Sequence, residues 1–537
     1  MSALSTDEGR EAITSGRASL GIELGSTRIK ACLVAEDGHV LAVGSHEWEN
    51  SFVDRMWTYP LDEVWSGIQA AYAALGIRVR HAYGIAIESV TGIGISAMMH
   101  GYLAFDAQGE LLVPFRTWRN TTTGAAAAEL SDLFGVNIPL RWSIAHYRQA
   151  MLDAEPHVRE VHHLTTLAGF VHTALTGQRV LGVGDASGMF PIDPATGSYD
   201  ADLVARFDAL AADAAPRPLL EVLPAVLSAG ADAGELTADG AALLDPSGVL
   251  KPGALFCPPE GDAGTGMVAT NAVAPRTGNV SAGTSIFAMV VLERALGAAH
   301  DELDIVTTPA GDPVAMVHCN NGASELAAWV AVFQRFADLI GSPLPPDSVY
   351  ETLFAEALTA DADAGGILSY NQLSGEPIAG LDEGRPMVIR TPDSQLTLAN
   401  LLRSQLAGVF ATLSLGMKVL GDEGVEVDRM LAHGGIFRTA GVAQRVLSSA
   451  LDVAVSVERH ASEGGAWGIA VLAAYTAARH AGQTDASLAA YLEAVVFADA
   501  EFATVEPDPA EVAGYASYLD RYRAGLAAER AAVTALS

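Results

Sequence analysis

Apolar positions at residues 20–24 and 29–34 flank a short Gly25-Ser26-Thr27 turn, and one acidic residue, Glu23, interrupts the first run. Two apolar runs around a small-residue turn predict a buried β-hairpin. The order recurs at residues 278–293, where an apolar stretch enters Gly283-Thr284-Ser285 and a second apolar run leaves it. One such turn is commonplace in hairpins. Two of them, about half a chain apart, predict an internal duplication. Residues 83–101 read as a buried strand ending in a tight Met-His-Gly turn, and residues 428–451 as its second-half counterpart. That counterpart comprises a short apolar strand, a Gly434-Gly435 turn and an amphipathic helix from near Thr439. Residues 396–420 carry Leu398, Leu401, Leu402, Leu406, Val409, Phe410 and Leu413 at helical spacing and predict a core helix. Gly464-Gly465 open an Ala-rich helix, while residues 226–250 and 353–366 read as helix-and-loop insertions without a motif.

A chain of 537 residues exceeds one ordinary core, so two domains or more are expected. The best boundary lies just before Pro275, giving domains at 20–274 and 275–537. Residues 1–19 are polar, mixed in charge and without an apolar h-region, which predicts a disordered tail and not a signal peptide. A net charge of −33 repels nucleic acid and anionic membrane as partners. No apolar run approaches the length of a membrane span. Cys32, Cys257 and Cys319 lie far apart and lack metal-ligand spacing, so a reducing, cytoplasmic compartment is expected.

The candidate chemistry gathers at the turns. Gly25, Ser26 and Thr27, with basic Lys30 beyond them, and Gly283, Thr284 and Ser285 offer backbone N–H groups and hydroxyls to phosphates. Gly434 and Gly435, between a strand and a helix, suit a nucleotide. Asp262, bracketed by Gly261, Gly264 and Gly266, could take a proton from an alcohol attacking phosphorus, or simply cap the following helix. Glu23, beside a phosphate turn, could hold Mg2+ directly or through water, or pair with Arg28 or Lys30.

These segments together resemble the FGGY carbohydrate kinases, of the actin–Hsp70–sugar kinase superfamily, from about residue 20 to about residue 475. "GIELGSTRIKACLV" is similar to the family's first phosphate motif, "VSAGTS" to the second, "AHGGIFRT" to the adenosine motif and "EGDAGTGM" to the turn holding the catalytic Asp. "GISAMMHG" followed by "PFRTWRNTTT" resembles the sugar-binding stretch of xylulokinases. Glu23 stands where Asp is usual, and Trp118-Arg119-Asn120 where Trp-Asn-Asp is common.

The resemblance implies an α/β fold: two ribonuclease-H-like (actin-like ATPase) domains with a cleft between them, closing on ATP and a sugar. Asp262 would be the base and Mg2+ would sit near Glu23. Gly434, Gly435 and Ile436 would carry the adenosine, and Met99, His100, Trp118 and Asn120 would line the sugar pocket with Asp262. His100 could instead only bond a backbone carbonyl, and Trp118 could be ordinary core. The expected activity is phosphorylation of a ketopentose of the xylulose type, with ribulose, glycerol or erythritol as alternative acceptors. A non-catalytic actin-like ATP-binding regulator is the rival from another class, favoured by the departures at Glu23 and Arg119 and opposed by Asp262, since a nucleotide switch needs no sugar base. A homodimer stays open.

Overall fold

Strands Ser19–Leu24, Arg28–Val34 and Val40–Glu47 form an antiparallel meander. Gly92–Ala97 pairs in parallel with the first of them, and Leu255–Phe256 and Glu260–Gly261 pair in parallel with Gly92–Ala97. All six residues of Gly92–Ala97 are buried, as a strand covered on both faces requires. The helix Leu61–Tyr83 packs on the meander, and the helix Gly465–His480 packs on Ser19–Leu24 and Gly92–Ala97. Glycine in the strands lets them approach closely: a Cβ on Gly21 would lie 2.1 Å from the Ala466 carbonyl oxygen, and one on Gly44 2.2 Å from that of Ala71.

This computed structural model describes residues 4–439, 441–458 and 464–536, and its contacts divide the chain into two units. The first takes residues 1–274, 305–314 and 460–500, and the second takes 275–304, 315–459 and 501–537. A continuous second domain from 275 to 537 therefore needs correcting. Residues 460–500 belong with the first unit because the Ala-rich helix Gly465–His480 buries Trp467, Ile469 and Val471 within it.

The disordered tail is corrected too. Thr6–Thr14 is a helix, started by a reciprocal capping box between Ser5 and Glu8, and its Ile13 is buried in the first unit's core. The first strand begins at Ser19.

In the second unit, Thr277–Ala282 and Ile286–Val291 form an antiparallel hairpin. Arg429–His433 pairs in parallel with Thr277–Ala282, Ala454–Glu458 continues in parallel, and Phe502–Val505 closes that edge antiparallel. A hairpin whose first strand also takes a parallel partner is the plan of both units, so the duplication expected from the two turns is visible in topology. The core helix runs Leu398–Asp422, capped by Thr397 and buried on nearly every side. A C-terminal helix, Pro509–Ala535, lays Tyr515 and Tyr518 on it: their hydroxyls donate to the carbonyls of Ala407 (3.0 Å) and Ser404 (3.1 Å). All three cysteines are free and buried. Among the described residues no helix is long and apolar enough to cross a membrane.

Candidate active site

The first turn closes through a Gly25 N–H bond to the Arg28 carbonyl at 3.0 Å. Ser26 and Thr27 are exposed. Every carbonyl of the turn is occupied: Trp48 Nε1 donates to Gly25 (2.7 Å), the Tyr59 hydroxyl to Ser26 (2.7 Å) and the Trp48 N–H to Thr27 (3.2 Å). The two supporting rings lie 4.3 Å apart and are buried. With its oxygens spent on these donors, the turn keeps N–H groups and hydroxyls for an anion. Nothing in the sequence pattern pointed to Trp48 or Tyr59, which act on the turn from 23 and 33 residues away.

Glu23 stands opposite Lys30 on the hairpin and beside Ser96 on the parallel strand. Its Oε2 accepts the Ala466 N–H at 3.1 Å, so its charge faces the start of the helix Gly465–His480. Gly465 is small of necessity, since a Cβ there would meet Glu23 Oε1 at 2.5 Å. Arg28 pairs instead with Glu47 at 2.7 Å. Burial, and then the charge of Asp262, push the Glu23 carboxyl up to about 7, against Lys30 and the Ala466 N–H. Two neighbouring carboxylates raised in this way suit a cation. Among the described residues no three potential ligands cluster as a ready-made metal cage.

Asp262 follows the N-cap Gly261 of the helix Asp262–Ala269, so it is not that helix's cap. Its Oδ1 accepts the Met99 N–H at 3.2 Å. Solvent reaches the side chain, while the protein packed around it raises its proton affinity by desolvation against that bond. Beneath it lies a pair that sequence reading missed. Glu260 accepts the N–H groups of Gly184 (3.3 Å) and Asp185 (2.9 Å), and Gly182 and Gly184 lack the side chains that would collide with its oxygens. Asp185 Oδ2 accepts the Thr166 hydroxyl at 2.6 Å, and its Oδ1 has no partner among the described residues. Burial first and Asp262 next push Asp185 up to about 7. Burial first and then Asp185 push Glu260 well above the carboxylate range, against the N–H groups it accepts.

Met99 and His100 end their strand in a sharp turn, with φ +70° at His100 and +93° at Gly101. Both are buried, and His100 Nδ1 lies 3.3 Å from the Gly188 carbonyl, which holds the ring. Asn120 is not free for a sugar as expected. Its amide accepts from the Trp57 N–H (2.8 Å) and donates to the carbonyls of Trp57 (2.8 Å) and Thr117 (3.0 Å). Both of its donors are therefore spent on backbone, and it clamps the 117–120 loop to the hairpin of Ser51–Val53 and Met56–Thr58. Trp118 is exposed, not core.

In the second unit the Gly283-Thr284-Ser285 turn is supported differently. The N–H of Ala323 donates to the Gly283 carbonyl (2.8 Å) and that of Gly322 to Thr284 (2.7 Å). These donors are fixed through Asn321, whose backbone N–H and side-chain amide both reach Glu376 Oε2 at 3.2 Å. Burial pushes Glu376 up to about 7 against these Asn321 bonds. Gly434 has φ +121°, and a Cβ there would lie 2.1 Å from the Ala282 carbonyl oxygen, so this turn rests on the end of the hairpin strand. Open space lies above Gly435, Ile436 is buried, and the helix expected near Thr439 begins at Val442.

Comparison with known proteins covers both units. The N-terminal domain model of the FGGY family of carbohydrate kinases matches residues 18–249, and its C-terminal domain model matches residues 278–477. A xylulose kinase of Klebsiella pneumoniae is 23% identical over 426 residues, covering 78% of this chain and 81% of its own. Among solved structures, a xylulose kinase of Rhodospirillum rubrum superposes with a TM-score of 0.76 at 22% identity, over 95% of this chain and 99% of that one. A glycerol kinase of Plasmodium falciparum with ADP superposes with a TM-score of 0.71 at 14% identity, over 94% and 97%. The shared fold is the two-domain actin-like ATPase fold, and it does not choose among acceptors.

Proposed function

Because the chain belongs to the FGGY family of carbohydrate kinases, enzymes that phosphorylate sugars with ATP, we propose that its acceptor is a ketopentose of the xylulose type. The observation that carries the chemistry is Asp262: a solvent-reached carboxylate, oriented by the Met99 N–H and raised in proton affinity, beside the Met99–His100 turn. A general base needs that orientation and that affinity. The similarity to xylulose kinases supports the acceptor class. Ribulose, glycerol and erythritol remain the competing acceptors.

In this reading Asp262 accepts the proton of the sugar hydroxyl as it attacks the γ-phosphorus. Met99 and His100 shape the acceptor side, with Trp118 at its rim. The first turn, with Lys30 behind it, and the Gly283–Ser285 turn receive phosphates through their uncommitted N–H groups and hydroxyls. Gly434, Gly435 and Ile436 receive the adenosine. Mg2+, when bound, supplies charge neutralisation to the phosphates, and Glu23 is the residue to hold it, through water or directly.

ADP release measured against a panel of ketoses and polyols names the acceptor. With that acceptor, Asp262→Asn should lower kcat by roughly 10²–10⁴-fold while ATP binding persists. A variant that keeps more than about a tenth of the activity would place the base elsewhere.

A further inference from the structure

Arg119 is held by rings and not by an acid. Its Cζ lies 4.2 Å from the Trp57 ring centroid and 5.9 Å from that of Trp118. The surface it lies on is rigid, because Asn120 bonds both the N–H and the carbonyl of Trp57, and the Thr117 N–H adds a bond to that carbonyl at 3.2 Å. Nearby arginines are matched: Arg28 with Glu47, and Arg116 with Glu155. Among the described residues Arg119 has no carboxylate partner, although acidic residues outnumber basic ones 64 to 31 in this chain. Trp57, whose ring carries the guanidinium, stands two residues before Tyr59 in the chain. The guanidinium charge acts on Tyr59, the residue whose hydroxyl holds the Ser26 carbonyl.

A planar cation with five donors, stacked in place and free of acid, is suited to an oxyanion. The local charge makes the need concrete. Glu23 and Asp262 already repel each other, so a phosphoryl group arriving beside them requires positive charge on the protein. We propose that Arg119 forms an oxyanion-binding position beside the first turn, and that the phosphoryl group in transfer occupies it. The proposal rests on the kinase reading. As the acceptor oxygen bonds to the γ-phosphorus, the bond from phosphorus to the bridging oxygen breaks and its electron pair leaves with ADP. The hydroxyl proton passes to Asp262, and Arg119 donates to the equatorial oxygens that carry the negative charge.

The test uses the full chain with MgADP and aluminium fluoride, a mimic of the phosphoryl group in flight, read by calorimetry and by the fluorescence of Trp57 and Trp118. In the wild type, aluminium fluoride should tighten ADP binding by at least about tenfold. Arg119→Ala should bind ADP alone as before, lose most of that gain, and lower kcat roughly 10²-fold with the acceptor KM little changed. Arg119→Lys, which keeps the charge but not the fork, should fall between the two, and matched melting temperatures would exclude misfolding. The proposal is overturned if the wild type shows no gain, if Arg119→Ala keeps it, or if that variant raises only the acceptor KM. A wild type that phosphorylates no ketopentose yet loses its aluminium fluoride gain on Arg119→Ala overturns the acceptor reading and leaves Arg119 in place.

Discussion

Asp185 makes the fold's stability depend on pH. The side chain is fully buried, one oxygen is without a partner, and Glu260 and Asp262 are its acidic neighbours. The unfolded chain releases this proton near the ordinary aspartate value, whereas the folded chain holds it up to about 7. Between those limits the folded state binds more protons, so the stability contributed by this site falls as pH rises and is flat above about 7. Asp185→Asn keeps the shape and the Thr166 bond but removes the charge. Relative to wild type it should gain on the order of 3 kcal/mol between about pH 4.5 and about pH 8, since a tenfold change in proton affinity is worth about 1.4 kcal/mol. Urea melts at both pH values decide it; an equal gap at the two would refute the buried-charge account. Residues of this kind were poorly legible in the sequence. Asp262 and Glu23 could be read because a carboxylate among glycines, or inside an apolar strand, is locally anomalous. Asp185 and Glu260 meet across 75 positions and Asn120 meets Trp57 across 63, so no local window contains either relation.

Elements were more legible than the bonds between them. Both hairpins, the strand Gly92–Ala97 and the helices Leu398–Asp422 and Gly465–His480 follow from apolar period and glycine placement, because those patterns report burial directly. The helix Thr6–Thr14 escaped because its capping box, Ser5 to Glu8, sits in a polar stretch with little periodicity. What supports each turn also escaped, and the two supports differ: side chains of Trp48 and Tyr59 behind the first, main-chain N–H groups of Gly322 and Ala323 behind the second. Only the first can be dismantled by a conservative substitution. Tyr59→Phe keeps the ring on Trp48 and deletes one donor, leaving the Ser26 carbonyl short of a bond at a cost of about 1 kcal/mol. If the turn binds phosphate, ATP affinity should fall roughly fivefold while acceptor KM holds. A lowered melting temperature with unchanged ATP affinity would reduce Tyr59 to a purely structural part.

At the scale of the molecule, a net charge of −33 acts against compactness. Raising the salt from about 10 mM to about 150 mM shortens the screening length from roughly 30 to 8 Å and should raise the melting temperature by a few degrees. A melting temperature that is flat or falls with salt would mean that local ion pairs outweigh the global repulsion. The overall division into two duplicated halves was legible, since the repeated turns mark it. The exchange of segments was not, because nothing in residues 460–500 says which sheet their helix will cover. That exchange governs how the chain can be made. The helix that covers Gly21 and Gly94 and receives Glu23 ends at His480, and Glu23 meets Ala466 across 443 positions. While the ribosome is still translating the second half, the first sheet has already emerged with that face bare. It waits until the helix Gly465–His480 itself has been translated. A transcript cut short before this helix would leave that face of the sheet uncovered for chaperones and proteases to find.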